Sequence, residues 1–169
     1  RPRSRLGKTM IGVMADSHDN LIAIRSAVQI FKESGCNLVV HSGDFIAPFA
    51  ARELEKLGCP VKGVFGNCDG EKIGLSRVFE TFGQIRKAPY SFNFEGLNIL
   101  VTHLDAPVKA IIAKQEYDLV IYGHTHRPDV HKHKKTLVIN PGETGGWLTG
   151  KSTVALFDPA AKEAEIIVL

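Results

Sequence analysis

Three short apolar runs in the first part of the chain predict buried strands, because each is rich in β-branched residues and is followed by polar or glycine residues. These runs are residues 10–15, 38–40 and 61–65. After the first run, apolar residues recur at three- and four-residue steps, which predicts a helix capped by Asn20 and ended by Gly35. A second helix is predicted at residues 48–57, ending at Gly58. Such strand–helix alternation predicts parallel strands joined by right-handed crossovers.

The second part of the chain is richer in strand patterns. Two apolar segments flank Glu95-Gly96, a pair typical of a hairpin. A weak helical signal covers residues 73–80, and residues 108–116 are predicted to be helical. The predicted strands are residues 91–94, 97–102, 118–122, 136–139, 153–157 and 165–168. We therefore expect an α/β fold in which two β-sheets pack together with helices outside them, although the order of the strands does not follow from periodicity.

Charge adds one feature to this picture, a basic start. Arg1, Arg3, Arg5 and Lys8 lie among the first nine residues, and removing these four positive charges from the net +3 leaves −1 for the rest. We expect residues 1–9 to be a disordered tail rather than a segment that binds nucleic acid or acidic surfaces, and residues 10–169 to form one domain. No apolar run approaches the ~20 residues of a membrane span, and the run after the tail is too short for a secretory signal.

The cysteines bear on the compartment. Their number is odd, no C-x-x-C motif occurs, and they stand at Cys36, Cys59 and Cys68. This argues against a disulfide framework and favours a reducing compartment, so we predict a cytoplasmic protein without a membrane partner.

Metal-competent side chains follow five of the predicted strands. They are Asp16, His18, Asp44, Asn67, His103, His124 and His126. One such segment means little, but strand ends gather at one edge of an α/β sheet, so five together indicate a metal centre. Two carboxylates, an amide oxygen and four imidazoles suit Mn, Fe, Co, Ni or Zn better than Ca or Mg. Seven groups exceed the needs of one ion, whereas two ions that share a bridging carboxylate would use them all.

In this order, the residues resemble the calcineurin-like metallophosphoesterase family, whose motifs D-x-H, G-D, G-N, a lone His and G-H-x-H all occur here. The G-N-C-D form and Asn140-Pro141-Gly142 resemble its small prokaryotic phosphodiesterase branch. The resemblance implies a four-layer α/β/β/α sandwich with the metals at its rim. It also implies that Asp16, His18 and His126 hold the first metal, that Asn67, His103 and His124 hold the second, and that Asp44 bridges them.

The resemblance further implies a phosphodiesterase in which a metal-bridging hydroxide attacks a small-molecule phosphodiester in line. The cofactors would be two divalent ions, manganese first, with nickel, iron, cobalt and zinc as alternatives. The other hypotheses are a metal-free scaffold of the same fold and a nuclease. We do not expect nucleic acid as a partner, because the body of the chain is near neutral and gives no sign of a basic groove. The sequence does not decide whether the protein forms a homo-oligomer.

Two departures from the family pattern bear on the substrate. Cys68 stands where many members carry a histidine that can protonate the leaving group, so we expect weak monoesterase activity. The alternative, which we favour for the thiol itself, is that Cys68 is a small residue that fills a tight turn. Asp105, two residues after His103, stands where related chains often carry a second histidine. Its carboxylate would either orient a ligand histidine or repel anionic substrates. Asn140 and Gly142 are supporting candidates beside the metals.

Four further residues have a structural and a functional interpretation. We interpret His41 as a supporting residue rather than a ligand, and His131 and His133 as part of a solvated hairpin rather than a phosphate-binding patch. Trp147 either stacks on a base at the pocket or serves packing or an interface, and the latter is favoured.

Overall fold

Residues 8–169 are described by the computed structural model, and the first seven residues of the predicted tail lie outside this range. The first sheet has the order β11-β10-β1-β2-β3-β4. Its strands are β1 (Ile11–Met14), β2 (Leu38–His41), β3 (Val61–Val64), β4 (Gly83–Arg86), β10 (Thr153–Asp158) and β11 (Glu163–Val168). Strands β1 to β4 are parallel, and β10 runs antiparallel to β1 and to β11.

The second sheet has the order β5-β6-β7-β9-β8. Its strands are β5 (Tyr90–Phe94), β6 (Leu97–Val101), β7 (Leu119–Ile121), β8 (Pro128–His133) and β9 (Thr136–Pro141). Strands β6, β7 and β9 are parallel, whereas β5 and β8 close the two edges as antiparallel strands. The predicted hairpin joins β5 to β6, and its turn residues Glu95 and Gly96 have the positive φ values, 48° and 83°, that such a turn requires.

The helices are α1 (Leu21–Glu33), α2 (Pro48–Ala51), α3 (Lys72–Phe79) and α4 (Val108–Ala113), and a 3-10 helix spans Arg52–Leu57. The Asn20 side chain accepts a hydrogen bond from the Ala23 amide, as expected of an N-cap. In the part of the chain that the structure describes, no helix is long and apolar enough to cross a membrane.

Alternating residues of the central strands divide between separate apolar cores. In β2, Leu38 and Val40 pack between the two sheets, whereas Val39 packs under α1, the 3-10 helix and α3. In β7, Leu119 and Ile121 face the same inter-sheet core, whereas Val120 packs against α4. Since both faces of each sheet are covered, the predicted four-layer α/β/β/α sandwich is confirmed.

Four local features differ from the predictions. The second helix begins at Pro48 and ends at Leu57 as expected, but its last six residues form a 3-10 helix. Strand β4 was not predicted, and β8 was not among the predicted strands. The helix predicted at residues 108–116 ends at Ala113. All three cysteines are free thiols, as expected.

Candidate metal centre

The carboxyl ends of the parallel strands bring the predicted ligands to one rim. Backbone hydrogen bonds tie the strand-end loops together within the first sheet, from the Asp16 amide to the Gly43 carbonyl (2.9 Å), and within the second, from the Gly123 amide to the His103 carbonyl (3.0 Å). A side-chain contact joins the two sheets, because His103 Nδ1 lies 2.8 Å from the Ser42 carbonyl oxygen. The loops that follow different strands therefore form one connected site.

Four of the predicted ligands form a compact group. One ligand atom from each of Asp16, His18, Asp44 and His126 lies within 4.8 Å of the others. His126 Nε2 is 3.6 Å from Asp16 Oδ1, and His18 Nε2 is 3.4 Å from Asp44 Oδ2. Ligand atoms about 2.1 Å from a tetrahedral ion lie roughly 3.4 Å from one another, so this spacing suits a divalent transition metal.

The remaining predicted ligands lie on the other side of Asp44. Asn67 Oδ1 is 2.8 Å from His103 Nε2 and 3.2 Å from His124 Nδ1. Asp44 Oδ2 is 3.3 Å from His103 Nε2, nearly the same as its distance to His18 on the first side. The structure thus brings all seven residues together, with the Asp44 carboxylate between the two groups.

Within this cluster, lone pairs face one another. Because the Ser42 carbonyl can only accept, His103 Nδ1 carries the hydrogen, and neutral His103 then points the Nε2 lone pair at oxygens of Asn67 and Asp44. Among residues 8–169, Asp16 Oδ1 and His18 Nε2 are buried without a hydrogen-bond partner. Buried acceptors that face acceptors are stabilised by a cation between them, so these residues fit a bound metal.

The two carboxylates respond differently to burial. Burial raises the pKa of Asp16, and the neighbouring His103 and His126 lower it without cancelling the effect. Burial also opposes ionisation of Asp44, but contacts from His103 and His18 and the Cys68 amide hold the pKa of Asp44 well below its usual range. Asp44 is therefore a permanent negative charge at the centre of the site.

That charge acts back on the histidines. The contact with Asp44 raises the pKa of His18. Burial lowers the pKa of His103, but Asp44 and the Ser42 carbonyl outweigh it and the net shift is upward. The Asp44 carboxylate thus favours the protonated forms of His18 and His103 when cations are absent.

The backbone of the site is strained. Five of the seven predicted ligands have left-handed φ values, which side chains other than glycine seldom adopt. They are Asp16 (49°), His18 (41°), Asp44 (64°), His124 (69°) and His126 (63°). Strain of this kind persists where the surrounding contacts impose it, and it concentrates at functional sites.

Asp69, which the sequence interpretation missed, holds two of the loops. Its buried carboxylate accepts hydrogen bonds from the amides of Asp44 (2.9 Å), Ile46 (2.8 Å) and Gly66 (2.7 Å). An aspartate in a glycine-rich loop is a common signal for this kind of side-chain-to-backbone bonding, and that signal was available in the sequence.

Glu143 was also missed. Its buried Oε2 lies 2.6 Å from His126 Nδ1, and its Oε1 accepts from the amides of Leu148 (2.8 Å) and Thr149 (3.2 Å). The sequence offered no direct signal, since the contact joins residues that follow different strands.

The supporting candidates fall in different places. Cys68 is exposed beside Asn67, and burial together with the charge of Asp44 raises the pKa of its thiol. Asn140 is buried, and its side-chain amide donates to the Gly123 carbonyl (3.1 Å). Its Oδ1 accepts from the Gly142 amide (2.9 Å). Asn140 and Gly142 therefore support the loop before His124. Asp105 is exposed, and no hydrogen bond or ion pair connects its side chain to another residue in the range 8–169.

His41 ends β2 and is fully buried. Its Nδ1 accepts from the Gly43 amide (3.1 Å), so its Nε2 carries the hydrogen and donates to Ser17 Oγ (2.9 Å). This places His41 behind the site as a supporting residue. His131 and His133 lie in β8 and are exposed, in agreement with a solvated hairpin.

Comparison with known protein families gives a match over most of the chain. The family described as the calcineurin-like phosphoesterase superfamily domain matches residues 10–162. Phosphodiesterase MJ0936 of Methanocaldococcus jannaschii is 37% identical over 163 residues, which cover 94% of this chain and 98% of that protein. Phosphodiesterase YfcE of Escherichia coli is 28% identical over 144 residues, which cover 76% of this chain and 75% of that protein.

Solved structures of this family have the same fold as this chain. A structure described as a novel archaeal phosphodiesterase has a TM-score of 0.90 and 36% identity, covering 95% of this chain and 99% of that one. Vps29 of Chaetomium thermophilum has a TM-score of 0.68, and at 15% identity the likeness concerns the fold alone; it covers 95% of this chain and 96% of that one. These matches confirm the resemblance that the motifs indicate.

Proposed function

The chain belongs to the calcineurin-like phosphoesterase superfamily, and from this membership we propose that it is a phosphodiesterase dependent on two divalent metal ions. The observation that carries the proposal is a pair of buried polar atoms without hydrogen-bond partners among residues 8–169, His18 Nε2 and Asp16 Oδ1. A cation would satisfy them, and a scaffold protein would have no need of such an arrangement.

We assign the ligands as the resemblance implies. Asp16, His18 and His126 would hold one ion, Asn67, His103 and His124 the other, and Asp44 would lie between them. When bound, two divalent cations lower the pKa of a water molecule and neutralise negative charge on phosphoryl oxygens. We expect manganese, with nickel, iron, cobalt and zinc as alternatives.

The chain's own residues prepare this site. Glu143 and the Ser42 carbonyl hold His126 and His103 with their Nε2 lone pairs turned inward. Asn67 and Cys68 are exposed, so the second group is accessible to a substrate. The thiol of Cys68 is a poor proton donor at neutral pH, which favours a small-molecule phosphodiester with a good leaving group over a monoester.

The test is hydrolysis after metal reconstitution. Chelator-treated protein is loaded separately with each of the five metals and assayed on bis(p-nitrophenyl) phosphate, p-nitrophenyl phosphate, cyclic nucleotides and single-stranded DNA. We expect diester turnover with at least one metal and its loss in Asp44→Asn. The matched control is Asp118→Asn, because Asp118 precedes β7 at the opposite end of the strand from the site.

Two outcomes would replace the proposal. A folded protein that binds none of the five metals and hydrolyses no ester would favour a scaffold. Turnover of DNA in preference to small diesters, with affinity that falls steeply with salt, would favour a nuclease.

A further inference from the structure

Trp147 lies on the surface beside the candidate metal centre. Its side chain is 65% exposed, so packing in the core is not its role. Its indole Nε1 donates a hydrogen bond to the backbone carbonyl of His18 (3.1 Å), a predicted metal ligand. The ring is therefore held against the chain at the rim, and its polar atom already has a partner.

The loop that carries Trp147 is fixed to the same strand end. The Thr144 and Gly145 amides donate to the carbonyls of Ala15 (2.8 Å) and Asp16 (3.0 Å). Asn20 Nδ2 donates to the Gly145 carbonyl (2.7 Å). Because the loop is held in place before any ligand arrives, little conformational entropy remains to be lost when a ligand contacts it.

The far side of the loop is fixed by Glu143. One oxygen of this buried carboxylate receives the Leu148 amide, and the other contacts His126. Trp147 thus lies in a segment attached to two predicted ligands, His18 directly and His126 through Glu143.

The surface that Trp147 presents is aromatic. With its N–H satisfied, the indole can offer a ligand only its π faces and apolar edge, and the adjacent Leu148 is 77% exposed. Covering such a surface is favourable, and stacked rings gain more than their buried area alone provides. Neither side chain supplies a charge that would select a polar substituent.

We propose that Trp147 is a specificity-determining residue that stacks on an aromatic substituent, a nucleoside base or an aryl ring, of the phosphodiester whose phosphate binds at the metal centre. This inference rests on the proposed function. A diester carries two substituents on phosphorus, so one can remain on the His18 side while the other leaves.

The first test compares two substrates with the same leaving group. The p-nitrophenyl ester of thymidine 5′-phosphate and methyl p-nitrophenyl phosphate both release p-nitrophenolate, and they differ in whether the substituent that stays carries a base. We expect the ratio of their kcat/KM values to fall roughly tenfold in Trp147→Leu, mainly through KM for the nucleoside ester, since base stacking on an aromatic side chain has about that worth. Trp147→Phe should retain most of the ratio, because the aromatic face remains.

The second test reads binding directly. Trp147 is the single tryptophan of the chain, so the tryptophan emission of zinc-loaded protein, excited selectively over tyrosine, reports on this ring alone. Adenosine 5′-monophosphate should quench it, and inorganic phosphate, which lacks a base, should not.

The outcomes separate the two ideas. An unchanged ratio in Trp147→Leu, or equal effects of the two fluorescence probes, in protein that hydrolyses the methyl ester would overturn the inference and leave the phosphodiesterase proposal intact. Loss of a wild-type dimer in Trp147→Leu by sedimentation, without a change in the ratio, would assign the ring to an interface instead. Absence of turnover with every metal would overturn the proposed function, and this inference with it.

Discussion

Glu143 holds His126 in one orientation through a 2.6 Å contact between Oε2 and Nδ1. Because Nδ1 donates to this carboxylate, neutral His126 keeps its lone pair on Nε2, the atom that lies 3.6 Å from Asp16 Oδ1. The carboxylate is itself held by two backbone amides. A buried acid thus fixes the tautomer and the direction of a predicted metal ligand.

Glu143→Gln should therefore weaken metal binding. A glutamine has one acceptor oxygen, so it cannot serve both His126 and the amides of Leu148 and Thr149. We expect zinc affinity, measured by competition calorimetry at pH 7.5, to fall about 10- to 100-fold, as is typical when such a partner is lost. The control is Glu53→Gln, which removes a surface ion pair with Arg25 and Lys56. Equal zinc affinity in the two variants would show that Glu143 does not support a ligand.

Gly66→Ala should disturb Asp44 directly. A Cβ at position 66 would lie 2.1 Å from Asp44 Oδ1 and 2.5 Å from the Asp44 backbone nitrogen, so the central carboxylate or its loop must move. We expect diester turnover to fall at least tenfold, because displacing a catalytic group by about an ångström typically costs that much or more. The melting temperature should also fall. Gly70→Ala is the matched control in the same loop, because a Cβ there meets nothing within 4 Å. Full activity in Gly66→Ala would contradict the central role of Asp44.

The strands were predictable where the sequence itself carries the pattern. Leu119-Val120-Ile121 is apolar at every position because β7 is covered on both faces. Strand β4 has the sequence Gly83-Gln84-Ile85-Arg86, with one large apolar residue, and it forms because β3 offers a parallel partner. Such pairing, like the insertion of β10 beside β1, depends on contacts distant in sequence, so periodicity does not reveal it.

The candidate site divides in the same way. Asp16, His18 and Asp44 stand within four residues of the end of an apolar run, so topology alone places them at one rim. Glu143 matters only because His126 lies beside it in three dimensions, and no local pattern records that contact. The left-handed backbone of the ligands is likewise a property of the assembled loops.

His41 should make the stability of the metal-free protein depend on pH. Burial holds the pKa of His41 well below its usual value, so the native protein keeps this imidazole neutral. Below about pH 6.5 the unfolded chain binds a proton that the native state does not accept, so His41 lowers the free energy of unfolding as the pH falls, by up to about 1.4 kcal/mol per pH unit.

The measurement is urea unfolding of wild type and His41→Asn between pH 5 and pH 8, with chelator present. At pH 8 the variant should be less stable, because the bond to Ser17 and the stacking on Phe45 are lost. The difference should shrink towards pH 5, since the variant lacks the group that destabilises the wild type in acid. His133→Asn, at an exposed position in β8, should show the wild-type pH dependence. A difference that stays constant with pH would mean that His41 takes up its proton at the same pH in the native protein as in the unfolded chain.

Cys68→His should change the balance between monoester and diester hydrolysis. Position 68 adjoins Asn67, its amide donates to Asp44 Oδ1 (2.9 Å), and its side chain is exposed, so an imidazole can be accommodated without burial. Histidine, with a reference pKa of about 6.5, donates a proton near neutral pH far better than a thiol with one of about 8.5.

Monoesters gain most from such a donor, because departure of the leaving group from their more highly charged phosphate needs more assistance. We expect the ratio of turnover on phenyl phosphate to turnover on diphenyl phosphate, which releases the same phenolate, to rise about 10-fold or more, within the usual range for general acid catalysis. Cys68→Ser, which is small and lacks an acid of suitable pKa, should keep the wild-type ratio. If the serine and histidine variants have the same ratio, the residue after Asn67 does not set the choice between the two ester classes.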